Sequence, residues 1–146
     1  MIKAENETVI PALLAILMSL TIVLYFSPTP HSVWGVTFFG IKYSLAIWVV
    51  PVSSGVITAI VFFYMSKRPS LQEKCIRTGA LGGLMSFIGY ALVHTALAVL
   101  TGMPFDMAPV LLLMIFEFGG VLFLPLSLIL GITGLLAARK LNHLKN

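Results

Sequence analysis

The chain is short of charge. Acidic and basic side chains make up 10% of its 146 residues, against about 25% in an ordinary soluble domain. A chain that is 59% hydrophobic cannot cover its oil with so few polar groups, which excludes a water-soluble fold. Cysteine is nearly absent: Cys75 stands alone, so no internal disulfide and no paired-thiol chemistry is possible. The chain also lacks H-E-x-x-H, G-x-S-x-G, a catalytic Cys–His context and a catalytic pair of acids. Those patterns carry the common metal-dependent, nucleophilic and acid–base chemistries, so no enzyme is expected. Gly82-Gly83 and Gly119-Gly120 lie inside apolar runs and are not phosphate loops. The cations form no separate basic domain, which argues against nucleic acid. His31, His94 and His143 fall in different segments, so bis-histidine haem ligation within one chain is not expected. Glu117 with His94 supplies two ligands where a structural zinc wants four. No metal and no cofactor is expected.

What remains is long hydrophobic runs. A helical membrane crossing needs roughly 20 apolar residues, and four runs qualify: residues 8–26, 43–66, 78–100 and 109–138. None shows the period-two alternation of a barrel wall. In lipid only a helix satisfies its backbone within one segment. The predicted fold is therefore an all-α integral membrane protein, a four-transmembrane-helix bundle forming one domain over 1–146. The first run is followed by "SPTPHSVW", with no A-x-A-like cleavage site, so it is expected to be retained.

Positive residues stay on the cytoplasmic side. The second connection holds Lys67, Arg68, Lys74 and Arg77, and the tail adds Arg139, Lys140 and Lys145. The first connection has only Lys42, and the third none. This places the loop 67–77 and both termini in the cytoplasm, most simply at a bacterial inner membrane. The net charge of +4 is then a topology signal. Cys75 is read as an ordinary thiol on that reducing side. The sequon Asn6-Glu7-Thr8 falls on the same side and is read as chance. The first connection, "SPTPHSVWGVTFFGIKYS", is expected to rest along the outer interface. Pro28 and Pro30 stop the first helix, and Trp34, Phe38, Phe39 and Tyr43 suit an aromatic belt. The third connection is a short turn, which makes spans three and four a hairpin.

Oil does not drive helices together in lipid; small residues and interhelical hydrogen bonds do. Small and polar residues should then mark the inward faces. In span four Glu117, Gly120, Leu124, Ser127, Gly131 and Gly134 recur at alternating steps of three and four, one face of a helix. In span three Gly79, Gly83, Ser86, Tyr90, His94 and Ala98 recur at steps of three or four, again along one face. Gly79-x-x-x-Gly83 is a small-x-x-x-small contact motif.

Depth adds a second expectation. At about 1.5 Å per residue, Glu117 and His94 lie level across the hairpin, about 10–12 Å below the outer edge. Ser19 and Ser53 or Ser54 reach the same depth, and Tyr90 lies one turn deeper. These residues are expected to form one intramembrane polar layer, with Glu117 pointing into the bundle. A lone carboxylate at a span centre costs about 2.5–3.5 kcal/mol on translocon scales, so the acid needs a partner. Three roles follow. The first is a non-catalytic subunit or accessory protein that binds another membrane protein, or itself, within the bilayer. The second is a small oligomeric transporter or proton conductor using Glu117 and His94. The third is an immunity-type protein that blocks a pore-forming toxin. In size and layout alone the chain resembles colicin-type immunity proteins and accessory subunits of membrane complexes. It lacks the catalytic aspartates of lipoprotein signal peptidases, the paired cysteines of quinone-linked thiol oxidases and the embedded first-span Glu of small multidrug exporters.

Overall fold

The computed structural model describes residues 2–25, 37–67 and 75–144. Four helices carry most of them: α1 (Ile2–Tyr25), α2 (Tyr43–Ser66), α3 (Cys75–Leu100) and α4 (Ala108–Leu144). Each is long and apolar enough to cross a membrane. α2 has the expected bounds. α1 starts earlier than expected, and α4 runs on to Leu144 because Ala, Arg, Lys and Leu, which favour helix, make up most of "ARKLNHL" and the segment is tied to α1 by polar contacts described below. Arg68, Lys74, Trp34, His31 and Lys145 lie outside the described residues.

The helices pack as a ring: α1 on α2, α2 on α3, α3 on α4, and α4 back on α1. The start of α1, the end of α2, the start of α3 and the end of α4 share one end of the bundle, called here the terminal end. The other end, the hairpin end, carries residues 37–42 and the turn before α4, where Phe105–Met107 form a 3-10 turn. Large apolar side chains on the outward faces stay exposed, among them Leu17, Trp48, Leu92 and Leu122. Such a surface is suited to hydrocarbon and ill suited to water.

Helix contact is closest where side chains are smallest. A Cβ on Gly79 would lie 2.6 Å from the Cα of Ile132. A Cβ on Gly83 would run into the Ser127 carbonyl, and one on Gly131 into the Gly79 carbonyl. α3 and α4 therefore meet backbone to backbone, which maximises dispersion contact and is how helices associate in lipid. Gly134 brings α4 close to α1 as well, though less tightly, with Pro11 Cα 3.1 Å from its would-be Cβ.

The buried stripes follow a step of four. In α1 they are Glu7, Pro11, Ala15, Ser19 and Val23; in α4 they include Leu111, Ile115, Gly119, Gly131 and Leu135, with half-buried Phe123 and Ser127 filling the series. A step of four drifts roughly 40° around a 3.6-residue helix. The packed stripe of α4 thus winds around its axis instead of running straight down one face.

Residues 37–42 depart from the expected interfacial cover. They form a two-stranded antiparallel hairpin, β1 (Thr37–Phe38) and β2 (Ile41–Lys42), with Thr37 opposite Lys42 and Phe38 opposite Ile41. The two turn residues both have positive φ, Phe39 at 44° and Gly40 at 83°, as a two-residue type I′ turn requires. Phe38 and Ile41 are buried, and join Val23, Val50, Ala98 and Ile115 in the apolar core at this end. The hairpin plugs the bundle instead of lying on it. Its apolar pair gains more against four helices than at an interface.

Candidate functional site

Three polar groupings are distinguishable. The first is at the hairpin end of α3. His94 is 2% exposed and uses both ring nitrogens. Its Nε2 lies 2.9 Å from the Phe39 carbonyl oxygen, and its Nδ1 lies 2.9 Å from the Tyr90 hydroxyl. A carbonyl can only accept, so Nε2 carries the hydrogen; in the neutral ring Nδ1 then accepts from Tyr90. The Phe38 and Phe39 rings stand edge-on to the imidazole, with centroids 6.1 and 6.3 Å away. This bond accounts for an unusual backbone. A bulky residue at positive φ is disfavoured, and the Phe39 carbonyl is held there by a buried donor. Gly40 is needed next to it, since a Cβ would come within 3.2 Å of Ala98 Cβ and 3.1 Å of Met103 Sδ.

The second grouping ties α1 to α4 at the terminal end. Arg139 Nε donates to Glu7 Oε1 at 3.2 Å, and the Asn6 amide donates to Asn142 Oδ1 at 2.6 Å. Glu7 and Asn142 are both buried. Glu7 falls just before the expected first span, and Arg139 was expected only as a topology signal, so sequence reasoning missed this clamp. The signal was available. Asn6 and Glu7 stand opposite Arg139 and Asn142 once the first and last helices are paired at the same end.

The third is a single residue. Glu117 does not point into the bundle: it is exposed on the outward face of α4. Around it Leu113, Phe118, Val121 and Leu122 are exposed as well. The expected layer joining Glu117 to His94 is thus corrected. The straight stripe through 117, 120 and 124 runs one way, while the packed stripe runs through 111, 115 and 119. Gly120 is corrected with it. Nothing lies within 4 Å of its would-be Cβ, whereas Gly119 is buried, with the Phe87 ring 3.4 Å from its own.

The remaining expected residues divide. Ser19 donates to the Ala15 carbonyl of its own helix at 2.7 Å. Ser54 reaches the same carbonyl from α2 at 3.4 Å. Ser53 bonds back to Val50 within α2. Ser127, Gly131 and Gly134 of α4, with Gly79 and Gly83 of α3, lie at helix contacts. Of the basic loop, Lys67 places its Nζ 3.9 Å from the Phe63 ring centroid, and Arg77 is exposed. Among the described residues no three His, Cys, Asp or Glu side chains converge as a metal site.

Ser19, Ser54, Ser86, Tyr90, His94 and Ser127 do share one feature: all line a cavity between the four helices. With its mouth it measures about 830 Å³. Ser86 is the unusual member. Ser19, Ser53, Thr95 and Thr101 each satisfy their hydroxyl on a carbonyl one turn back, the usual habit in membrane helices. The Ser86 hydroxyl is buried and has no such partner.

No family model, no curated protein and no solved structure matches the chain. The function is therefore read from geometry.

Proposed function

We propose that this chain is a non-catalytic, multi-pass membrane subunit that docks laterally on another membrane protein through the outward face of α4. In this reading the terminal end is cytoplasmic, at a bacterial inner membrane, following the cations of the 67–77 loop and the tail. One observation carries the proposal: Glu117 is exposed on an apolar helix face, nine residues into α4, roughly 14 Å along it. Ionisable residues at such depth normally face a bundle interior or a water-filled cavity, and pair there. Among the described residues this one does neither. Its partner must then come from outside, as a cation or hydrogen-bond donor on a neighbouring helix.

A second copy of this chain is a poor match. Among the described residues Lys3, Lys42, Lys67, Arg77, Arg139 and Lys140 all stand at or near helix ends. None is level with Glu117. The partner favoured by charge is a different protein whose span carries Lys, Arg or His in the hairpin-end half of the bilayer. An immunity-type protein would use the same face, with a toxin helix as partner. The transport reading needs Glu117 and His94 together, and they stand on the outside and the inside of the bundle.

The test is extraction in mild detergent from the native membrane. A stoichiometric partner should co-purify, and Glu117→Gln should lower its recovery about tenfold, roughly 1.4 kcal/mol. Recovery of the unaltered protein as a lone monomer would count against docking. Disulfide trapping of two copies through Leu113→Cys would instead make the partner a second chain.

A further inference from the structure

The outward face of α4 carries more than its acid. Gly120 follows Glu117 by three residues and Pro125 follows it by eight, and both Glu117 and Pro125 are exposed. Glycine and proline are poor residues for a helix interior. In a membrane helix close packing against a neighbour usually accounts for a glycine, as it does for Gly79, Gly83 and Gly131. Gly120 has no such neighbour among the described residues: nothing lies within 4 Å of its would-be Cβ. It leaves a notch in the outer surface, one turn from the carboxylate.

Pro125 lies inside the helix and has no N–H, so the Val121 carbonyl lacks the donor that residue 125 would otherwise supply. In lipid a carbonyl freed in this way is satisfied by a neighbouring helix, a Ser or Thr side chain or water. Val121 is 75% exposed and Pro125 is exposed as well, so this carbonyl opens outward, on the side of Glu117. Two acceptors face the same way, with the notch between them.

Their spacing selects the donor. Glu117 and Val121 are roughly 6 Å apart along the axis. The acid's side chain leans toward the start of the helix and helix carbonyls point toward its end, so the two oxygens stand no closer than that. An ammonium donates from one nitrogen and bridges at most about 5.8 Å, the length of two N–H···O bonds. A guanidinium donates from both edges of a planar fork and bridges roughly 8 Å. Its flat face suits a residue with no side chain.

We infer that this face docks a partner helix through an arginine, whose guanidinium pairs with Glu117, lies over Gly120 and donates to the Val121 carbonyl. The inference rests on lateral docking through α4 and adds the identity of the partner's residue.

Binding of dye-labelled synthetic helices to the full chain in phosphatidylcholine vesicles, read by energy transfer, tests it. Each probe is a span of about 20 Leu and Ala residues, with Trp at both ends and Arg, Lys or Leu at its centre. The Arg helix should associate about tenfold more tightly than the Leu helix, and the Lys helix about threefold more tightly. Glu117→Gln should abolish both advantages. Pro125→Ala restores the missing N–H and should bring the Arg helix down about threefold, to the level of the Lys helix. Gly120→Leu fills the notch and should weaken the Arg helix at least as much, with the SDS unfolding midpoint unchanged. It serves alone if Pro125→Ala does not fold. Equal association of the Arg and Lys helices, or an Arg advantage that survives both the Pro125 and the Gly120 variants, would overturn the arginine site and leave docking through Glu117 in place. No advantage of either cationic helix over the Leu helix would overturn docking through Glu117 itself.

Discussion

Two acids on adjacent helices have opposite fates. Glu7 sits near the start of α1, buried, with Arg139 of α4 3.2 Å away. Glu117 sits in the hairpin-end half of α4, exposed, with no cation beside it among the described residues. The same helix α4 thus presents a donor inward at one end and an acceptor outward at the other. The difference separates two uses of charge in a bilayer. A carboxylate with an internal partner fastens the fold. A carboxylate aimed at lipid adds nothing to the fold, and its cost is recovered only by a contact made outside the chain. Inside and outside can be separated by substitution, because the two faces respond differently to the same kind of change.

The largest contrast lies in the glycines of the α3–α4 pair. Gly83→Leu places a side chain where the Ser127 carbonyl stands. It should destabilise the bundle by about 3 kcal/mol or prevent assembly, read as a lower midpoint in SDS-induced unfolding from mild detergent. Gly120→Leu points into open space and should leave the midpoint almost unmoved. Similar losses in both would mean that α4 is rotated and that Glu117 faces inward after all.

Next comes the clamp around Glu7. Arg139→Ala leaves a buried carboxylate without its cation. Breaking a fully buried pair costs about 3–5 kcal/mol, but the side chains here keep 20% and 10% of their exposure, so about 2 kcal/mol is expected after solvent screening. A double-mutant cycle with Glu7→Gln should return a coupling above about 0.5 kcal/mol. Additive losses would dissolve the clamp and with it half of the contrast.

His94 is intermediate. His94→Ala removes the donor to the Phe39 carbonyl and the acceptor for Tyr90. It should cost about 1–3 kcal/mol, the range for leaving buried polar groups unsatisfied. The loss should be local as well: backbone amides of 39–42 should exchange faster while those of the α3–α4 contact stay protected. Uniform acceleration would mean that the hairpin is not a separate plug.

How much of this was legible follows from which signals are local. The four spans were, because apolar length alone separates them. Gly79, Gly83, Ser127 and Gly131 were, because small residues four apart mark a contact wherever it is made. The hairpin was not: type I′ turns usually announce themselves with Asn-Gly or Asp-Gly, and here the first turn residue is Phe39, held by a histidine 55 positions away. The inward face of outer α4 was not, because helical periodicity reports a stripe but not its winding. A projection at alternating steps of three and four selects Glu117 and Gly120. The observed step of four selects Ile115 and Gly119. Only the partner helices decide between them. Glu7 was hidden for the opposite reason, since a charge at a span end looks like topology until its cation is seen.

The smallest expected effect is the most discriminating. Glu117→Gln in the isolated protein replaces an acid on the exposed apolar face of α4 and breaks no contact among the described residues. Stability should change by no more than about 0.5 kcal/mol, the ordinary range for a surface substitution away from special features, and any change should favour the variant, because a neutral amide is cheaper in hydrocarbon than a carboxylate. Glu7→Gln, the same chemical change, should destabilise measurably, because it weakens a charged hydrogen bond to Arg139. A loss above about 1 kcal/mol in Glu117→Gln would show that the acid has a partner inside the chain. A silent Glu117→Gln beside a costly Glu7→Gln would leave one reason for an acid on that face, a contact with something the chain does not itself contain.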